Sequence, residues 1–232
     1  MNVVFAQSEW FKKGNMNKHD ILNRIDHTLL KASASWQEIK TLCEEALAFK
    51  TASACIPPSY VKEALAEFGK EIVICTVVGF PLGYSISDVK KYETEKALND
   101  GASEIDMVIN IGDLKNRHYE RLLSEISVIK KICADKVLKV IAETCYLEKE
   151  EKIKLCKIVN EAGADFIKTS TGFGSAGASV DDILLFREHI AANVKIKAAG
   201  GIKTREDMTA MINAGADRIG SSLAVKILSS EQ

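Results

Sequence analysis

The sequence lacks the features that mark secreted, membrane-bound and nucleic-acid-binding proteins. No apolar run approaches the roughly 20 residues that a membrane-spanning helix needs, and no basic segment precedes an apolar one at the start of the chain. The formal net charge is −1, so no overall field attracts nucleic acid or an anionic membrane. We therefore expect a cytoplasmic protein that binds neither nucleic acid nor a membrane.

Metal-binding patterns are also missing. None of the six cysteines belongs to a Cys-x-x-Cys pair, and the four histidines have no ligand spacing among themselves or with the cysteines. Several cysteines lie within apolar segments, which is typical of reduced and buried thiols. The sequence thus predicts no metal site and indicates no cofactor.

What the chain does contain is a regular alternation of strand-like and helix-like segments. The predicted strands are 25–28, 53–56, 72–77, 104–109, 137–141, 166–169, 195–199 and 218–220. Helical periodicity marks segments 36–50, 87–99, 119–133, 149–162 and 182–191. This order predicts an α/β fold with a single parallel (β/α)8 TIM barrel, whose usual size is about 250 residues. The alternative is a doubly wound open sheet, which usually has fewer strands.

The predicted barrel follows a short extension. Residues 1–16 show no sustained periodicity, so we expect a poorly ordered extension there and a barrel domain over residues 17–232. Within the barrel a loose repeat places a glycine, Gly101, Gly163 or Gly215, just before a strand. Each glycine predicts a helix that ends in the left-handed conformation.

Lys168 is the most informative single residue. It ends an apolar strand and precedes a loop of small residues, 169–174, that could admit a substrate. Partial burial disfavours the ammonium form, so we expect a lowered pKa for Lys168 and a neutral amine of the kind that forms Schiff bases. The plain alternative is a solvated lysine that buries only its stem.

Other polar residues are predicted at the carboxyl ends of the strands, where barrels of this type carry their sites. They are Asp26, Thr28, Cys55, Asp106, Glu143, Thr144 and Lys197. Lys197 would lower the pKa of Lys168 by like-charge repulsion, and Asp106 could shuttle a proton. Taken singly, Asp106 could instead cap a backbone amide, and Lys197 could be its structural partner.

The loops after the last two strands are rich in small residues. They contain Gly200, Gly201, Gly220 and Ser221, and Gly172 follows strand 6. Glycine lets backbone amides approach an anion, and these two loops form the recurrent phosphate site of this barrel. The alternative is that small residues only permit tight turns.

Three segments, 104–110 (EIDMVIN), 163–173 (GADFIKTSTGF) and 197–202 (KAAGGI), closely resemble the deoxyribose-phosphate aldolase family. The resemblance extends from about Ile21 to Leu228. It implies a metal-independent class I aldolase on a (β/α)8 barrel, without a cofactor. Its substrate would be 2-deoxy-D-ribose 5-phosphate, cleaved reversibly to D-glyceraldehyde 3-phosphate and acetaldehyde. A homodimer or a homotetramer is the expected assembly.

The resemblance also implies roles for individual residues. Lys168 resembles the Schiff-base lysine, and Asp106 and Lys197 resemble a proton-relay pair. Substrate-binding positions of the family are matched by Asp26, Thr28, Cys55, Thr171, Gly172, Gly200, Gly201, Gly220 and Ser221. One departure concerns a tyrosine near the carboxyl terminus of some members. The last tyrosine of this sequence is Tyr146, so we expect proton transfer to proceed without a tail tyrosine.

Two other functions remain as alternatives. The first is a different phosphate-binding barrel enzyme, such as a class I aldolase or transaldolase-like protein that acts on a longer keto-sugar phosphate. Acetaldehyde and ketone donors would distinguish the two activities. The second is a non-catalytic barrel that binds sugar phosphates as a sensor or scaffold, and a failure to trap an imine would favour it.

Overall fold

The computed structural model describes residues 16–230, and within them eight parallel strands form a closed barrel. The strands are β1 (Ile25–Thr28), β2 (Ser53–Cys55), β3 (Ile74–Val78), β4 (Glu104–Val108), β5 (Val137–Ile141), β6 (Phe166–Lys168), β7 (Lys195–Ala199) and β8 (Arg218–Ser221). Each strand pairs with the next along the chain, and β8 pairs with β1. The predicted (β/α)8 barrel is confirmed.

Helices surround the barrel and connect its strands. They are α1 (Lys18–Leu22), α2 (Trp36–Ala48), α3 (Val61–Phe68), α4 (Ser87–Asn99), α5 (Ile111–Lys115), α6 (Tyr119–Cys133), α7 (Lys149–Ala162), α8 (Val180–His189), α9 (Arg205–Ala214) and α10 (Ala224–Ser229). Gly163 and Gly215 end α7 and α9 with positive φ angles of 71° and 115°, as the sequence predicts. Among the described helices, none has both the length and the apolar character of a membrane span.

The predicted extension, residues 1–16, lies outside the described residues except for Met16. The carbonyl of Met16 accepts a hydrogen bond from Arg205 at 2.7 Å, and its side chain packs against the apolar core. Asn17 then caps α1, because its side chain accepts a hydrogen bond from the Asp20 amide. The chain is therefore attached to the barrel from its first described residue.

Strand boundaries differ from the predictions by one or two residues. β3 begins at Ile74, two residues later than predicted, because Gly69–Glu71 forms a 3-10 turn and Val73 remains exposed. β6 ends at Lys168, one residue earlier than predicted. These differences leave the carboxyl ends of the strands, and hence the predicted site, at one end of the barrel.

The two faces of the barrel strands have opposite character. Outward side chains such as Ile74, Ile105 and Ile196 are fully buried beneath the helices. Many of the alternate, inward positions carry charged side chains: Asp26, Glu104, Asp106, Lys139, Lys168, Lys197 and Arg218. Branched apolar residues usually fill such interiors. An ionic interior must satisfy its charges internally, because water cannot solvate them there.

Candidate active site

A cavity of about 400 Å³ opens at the carboxyl ends of the strands. Its wall contains most of the residues predicted to act on or bind a substrate: Thr28, Lys168, Thr171, Gly172, Gly200, Gly201, Gly220 and Ser221. The other four predicted residues do not line the cavity and are fully buried inside the barrel: Asp26, Cys55, Asp106 and Lys197. The predicted site therefore consists of residues that line the cavity and four buried residues inside the barrel.

The three predicted catalytic residues form one cluster. Lys168 and Lys197 stand opposite each other on neighbouring strands, and Asp106 reaches them from β4. One carboxylate oxygen, Oδ2 of Asp106, accepts hydrogen bonds from both Lys168 and Lys197, each at 2.7 Å. Because a carboxylate lies between the two amines, direct repulsion of Lys168 by Lys197 stays a prediction.

A third lysine, Lys139, contacts the same carboxylate and was missed in the sequence. Its ammonium lies 2.9 Å from Oδ1 of Asp106, 2.6 Å from Glu104 and 3.2 Å from the Cys75 sulfur. The available signal was a lysine at the centre of an otherwise apolar strand. Strand register adds that Lys139 stands directly beside Asp106.

Asp26 and Arg218 complete the buried ionic cluster. Arg218 donates to Asp26 at 2.5 Å and to Glu104 at 3.3 Å. The ammonium of Lys197 lies 2.5 Å from the other oxygen of Asp26. Asp26 thus contacts two cations inside the barrel, and its predicted contact with a sugar stays a prediction.

The cluster shifts the pKa values of Asp106, Lys139 and Lys197. Burial alone would raise the pKa of Asp106, but the ammoniums of Lys139, Lys168 and Lys197 hold it well below the usual range. Burial alone would lower the pKa of Lys197 and of Lys139, but the surrounding carboxylates, Asp106 foremost, raise both above the usual lysine value. Asp106 is therefore a carboxylate held between cations.

Two groups of potential metal ligands occur inside the barrel, and they share Cys75. In one, Cys55, Cys75 and Asp106 bring their ligand atoms within 4.8 Å of one another, and in the other Asp26 and Glu104 join Cys75. Both groups already contain carboxylates bound to ammoniums, so cations of the protein itself neutralise them. The prediction that no metal is needed stays a prediction.

The rim of the cavity presents backbone amides. Gly172, Gly200 and Gly201 have φ angles of 88°, 83° and 75°, a conformation that favours glycine. Within residues 16–230, the amides of Gly172, Gly201 and Ser222 donate no hydrogen bond. Three loops therefore offer free N–H groups to one cavity, an arrangement suited to an anion.

Side chains around this rim support the loops. The Ser221 hydroxyl oxygen accepts from the amides of Leu223 and Ala224, each at 3.2 Å, and its hydrogen stays available. Gly220 has little space for a side chain, because a Cβ there would lie 3.0 Å from the Cβ of Ala199. Lys203 also lines the cavity and adds a positive charge that was missed in the sequence.

Three predicted substrate contacts are engaged within the protein. The Thr28 hydroxyl donates to the carbonyl of Asp26 at 2.7 Å, and the Thr171 hydroxyl donates to Glu143. Cys55 packs with Cys75 and Val77 in the barrel interior. Their roles toward a substrate stay predictions.

Comparisons with known proteins show the family of this chain. A model of the family described as DeoC/LacD family aldolase matches residues 21–227. A deoxyribose-phosphate aldolase of Clostridium botulinum (strain Eklund 17B / Type B) is 56% identical over 217 residues, covering 94% of this chain and 98% of the relative. One of Clostridioides difficile (strain 630) is 55% identical over 214 residues, covering 92% of this chain and 97% of the relative. A solved structure from Aeropyrum pernix is described as the unique tetrameric structure of a deoxyribose phosphate aldolase. It matches with a TM-score of 0.89 at 30% identity, and the match covers 99% of this chain and 98% of that one.

Proposed function

The chain belongs to the DeoC/LacD family of aldolases, and from that premise we propose that Lys168 forms a Schiff base with the substrate. The enzyme is an aldolase, a carbon–carbon lyase, that converts 2-deoxy-D-ribose 5-phosphate to D-glyceraldehyde 3-phosphate and acetaldehyde. The observation that carries the role of Lys168 is its position. Of the amines in the buried cluster, it is the one that lines the cavity.

The contacts of the cluster distinguish Lys168 from the other two lysines. Four cations face three carboxylates inside the barrel. Lys168 contacts one carboxylate within 4 Å, whereas Lys197 contacts two and Lys139 contacts three. Lys168 is therefore the lysine that the fewest ion pairs hold in the cluster, and it is the one that a substrate in the cavity can reach.

The reaction then proceeds through this nitrogen. The Lys168 amine adds to C1 of the open-chain sugar, and loss of water gives an iminium ion. Asp106, through a water molecule, takes the proton of the C3 hydroxyl while the C2–C3 bond breaks, so that C3 becomes the carbonyl carbon of the departing D-glyceraldehyde 3-phosphate. The electron pair of the broken bond passes to the iminium ion and gives an enamine. Protonation of C2 and hydrolysis release acetaldehyde. We assign the returned proton to the path of two 2.7 Å hydrogen bonds from Lys197 through Asp106.

The rim of the cavity suits the phosphate group of this substrate. We assign phosphate binding to the loops that contain Gly172, Gly200, Gly201, Gly220 and Ser221. Their free amides surround one cavity, and the nearby lysine at position 203 supplies a positive charge. This arrangement leaves the aldehyde end of the sugar to meet the amine at the cavity wall.

Reductive trapping tests the role of Lys168. Borohydride added with deoxyribose 5-phosphate or acetaldehyde should give a stable adduct that peptide mass mapping assigns to Lys168. The Lys168→Arg variant should give none, because a guanidinium does not form the imine. An adduct that maps mainly to Lys197 would reverse the two roles. Absence of both adduct and cleavage would favour the sensor or scaffold alternative, and turnover of ketone donors in place of acetaldehyde would favour the other aldolase.

We also propose that the enzyme is a homo-oligomer. The relative from Aeropyrum pernix is described as tetrameric. In this chain an apolar patch covers the β3–α4 loop and the start of α4, and each of its side chains is between 45% and 70% exposed. An exposed patch of this kind marks an interaction surface. Its members are Leu82, Tyr84, Ile86, Val89 and Tyr92.

The assembly can be tested without measuring activity. Light scattering coupled to gel filtration should give a mass of at least two chains, and Ile86→Glu combined with Tyr92→Glu should reduce it to one. Leu184→Glu is the matched control, because Leu184 is also exposed but lies on α8, outside the patch. A monomeric parent protein, or a dimer that the double variant leaves intact, would contradict the proposed surface.

The cytoplasm is the compartment that we propose. All six cysteines are free thiols, and five of them are buried. Such thiols persist in a reducing compartment. Expression of the enzyme in its source cell, followed by fractionation, would test this location.

A further inference from the structure

Glu143 is a buried acidic residue that the proposed reaction does not use. It lies two residues after the end of β5 and is only 2% exposed. Its backbone is left-handed, with φ 53° and ψ 64°, a conformation that sterics disfavour for any residue with a Cβ. A residue keeps such a backbone only when the surrounding structure enforces it, and this is most common at functional sites.

The carboxylate of Glu143 binds the loop that follows β6. The amide of Thr171 donates to both carboxylate oxygens, at 3.2 and 3.3 Å, and the Thr171 hydroxyl donates to one of them. That hydroxyl oxygen in turn accepts from the amide of Phe173 at 3.0 Å. The chain at Gly174 lies against the same carboxylate, because a Cβ there would be 3.0 Å from it. One buried side chain therefore holds loop residues 171–174.

These bonds determine which amides of the loop remain free. The Thr171 amide donates to Glu143, and the Phe173 amide donates to the Thr171 hydroxyl. Gly172, which lies between them with a φ of 88°, lines the cavity and donates no hydrogen bond within residues 16–230. A Cβ on Gly172 would lie 3.9 Å from the Cα of Gly200, so the two glycine loops lie close together.

We propose that Glu143 is a positioning residue that fixes the Gly172 amide at the phosphate-binding rim. Glu143 does not line the cavity, so it acts through Thr171. This inference rests on the proposed function, in which the Gly172 loop binds the phosphate group. The conformation of that loop then depends on Glu143, a side chain that follows the neighbouring strand β5. Glu143 takes no part in bond cleavage.

Kinetics with two substrates tests this role. For Glu143→Ala, KM for deoxyribose 5-phosphate should rise roughly 10- to 100-fold, the range expected when a charge-assisted hydrogen bond is lost. Inhibition by inorganic phosphate should weaken by a similar factor. The kcat for unphosphorylated 2-deoxyribose should change far less, because that substrate does not use the rim.

Two further variants separate positioning from general damage. Glu143→Gln keeps one acceptor oxygen and should raise KM less than Glu143→Ala does. Glu161→Gln is the matched control, because Glu161 is an exposed carboxylate at the end of α7 and should leave both constants unchanged. Thermal unfolding of every variant should be recorded beside the kinetics.

A double-mutant cycle with Thr171 tests whether Glu143 acts through it. Thr171→Val removes the hydroxyl and keeps the branched shape, so it should raise KM for the phosphorylated sugar. Combined with Glu143→Ala, it should add little further increase, since residues in one hydrogen-bond network are not additive. Full additivity of the two increases would overturn the proposed path.

The inference and the proposed function can fail separately. If the parent enzyme cleaves deoxyribose 5-phosphate and is trapped at Lys168, the proposed function stands. If Glu143→Ala then changes KM for both sugars alike, or lowers kcat without changing KM or phosphate inhibition, the positioning role is wrong. If the parent enzyme is neither active nor trapped, the proposed function itself fails.

Discussion

Replacing Asp106 with asparagine removes one negative charge from the centre of the barrel and keeps the size of the side chain. Asp106 is fully buried and accepts hydrogen bonds from three ammoniums, Lys139 at 2.9 Å and Lys168 and Lys197 at 2.7 Å. Asparagine cannot neutralise them, so four cations would face two carboxylates. Removal of one partner from a buried ion pair costs about 3–5 kcal/mol. We expect a loss of this size in the free energy of unfolding, out of the ~5–15 kcal/mol typical of a domain.

Urea unfolding followed by circular dichroism at pH 7 measures this loss. Asp135→Asn is the control, because Asp135 is exposed and pairs with Lys136 at 3.5 Å on the surface, away from the proposed subunit interface. It should leave the urea midpoint unchanged, as expected for exposed pairs. The double variant Asp106→Asn with Lys139→Met restores the excess of a single positive charge, so it should be more stable than Asp106→Asn alone.

The pH dependence gives a second check on the same variant. The pKa of Asp106 is lower in the folded protein than its unfolded value of about 3.9, so its contribution is complete above that pH. The contribution is lost as the pH falls through the folded-state pKa. The difference in the free energy of unfolding between parent and variant should therefore be constant from pH 7 to about 5. It should become smaller only at more acidic pH. The reasoning would be refuted if Asp106→Asn lowered the free energy of unfolding by less than ~1 kcal/mol at pH 7. It would also be refuted if the difference between parent and variant already disappeared near pH 6.

Three further predictions concern activity. Asp106→Leu should still allow borohydride trapping at Lys168, while cleavage slows by about 10²–10⁴-fold, the usual range when general acid–base catalysis is lost. Equal loss of trapping and of cleavage would instead show that Asp106 acts in imine formation. Ser222→Asp puts a negative charge at the rim, so KM for deoxyribose 5-phosphate should rise at least about tenfold, or ~1.4 kcal/mol, with unphosphorylated deoxyribose affected far less. Activity should survive exhaustive chelation, and a loss that added zinc restores would contradict the Schiff-base route.

The eight strands could be predicted because each is a short segment with at least one buried apolar residue and follows a turn or a helical segment. β1, β5 and β7 begin and end at the predicted residues. The start of β3 was predicted too early, because Ile72 and Val73 are apolar but follow a 3-10 turn that sequence periodicity does not reveal. The sequence pattern therefore predicts the order of strands and helices, whereas the residue at which β3 begins depends on the turn that precedes it.

The site was only partly predictable, because its charges meet through barrel closure. Lys168 and Lys197 were identified by the loops and motifs around them. Lys139 and Arg218 were missed, since each contacts its partners only when two strands pair. Lys139 meets Asp106 between the consecutive strands β4 and β5, and Arg218 meets Asp26 between the last and the first strand, β8 and β1. Inward and outward positions alternate along each strand, so a predicted register would have placed both inside.

The charged interior of the barrel also affects how the stability of the enzyme depends on temperature. Unfolding exposes apolar surface, which raises the heat capacity, and polar surface, which lowers it. Lys139, Lys197, Asp26, Glu104 and Asp106 replace apolar side chains at the centre, so this layer reduces the heat-capacity change of unfolding. The penalty for desolvating ions also falls as the temperature rises. The stability curve of this barrel should therefore be flatter than that of a barrel of equal size with an apolar interior.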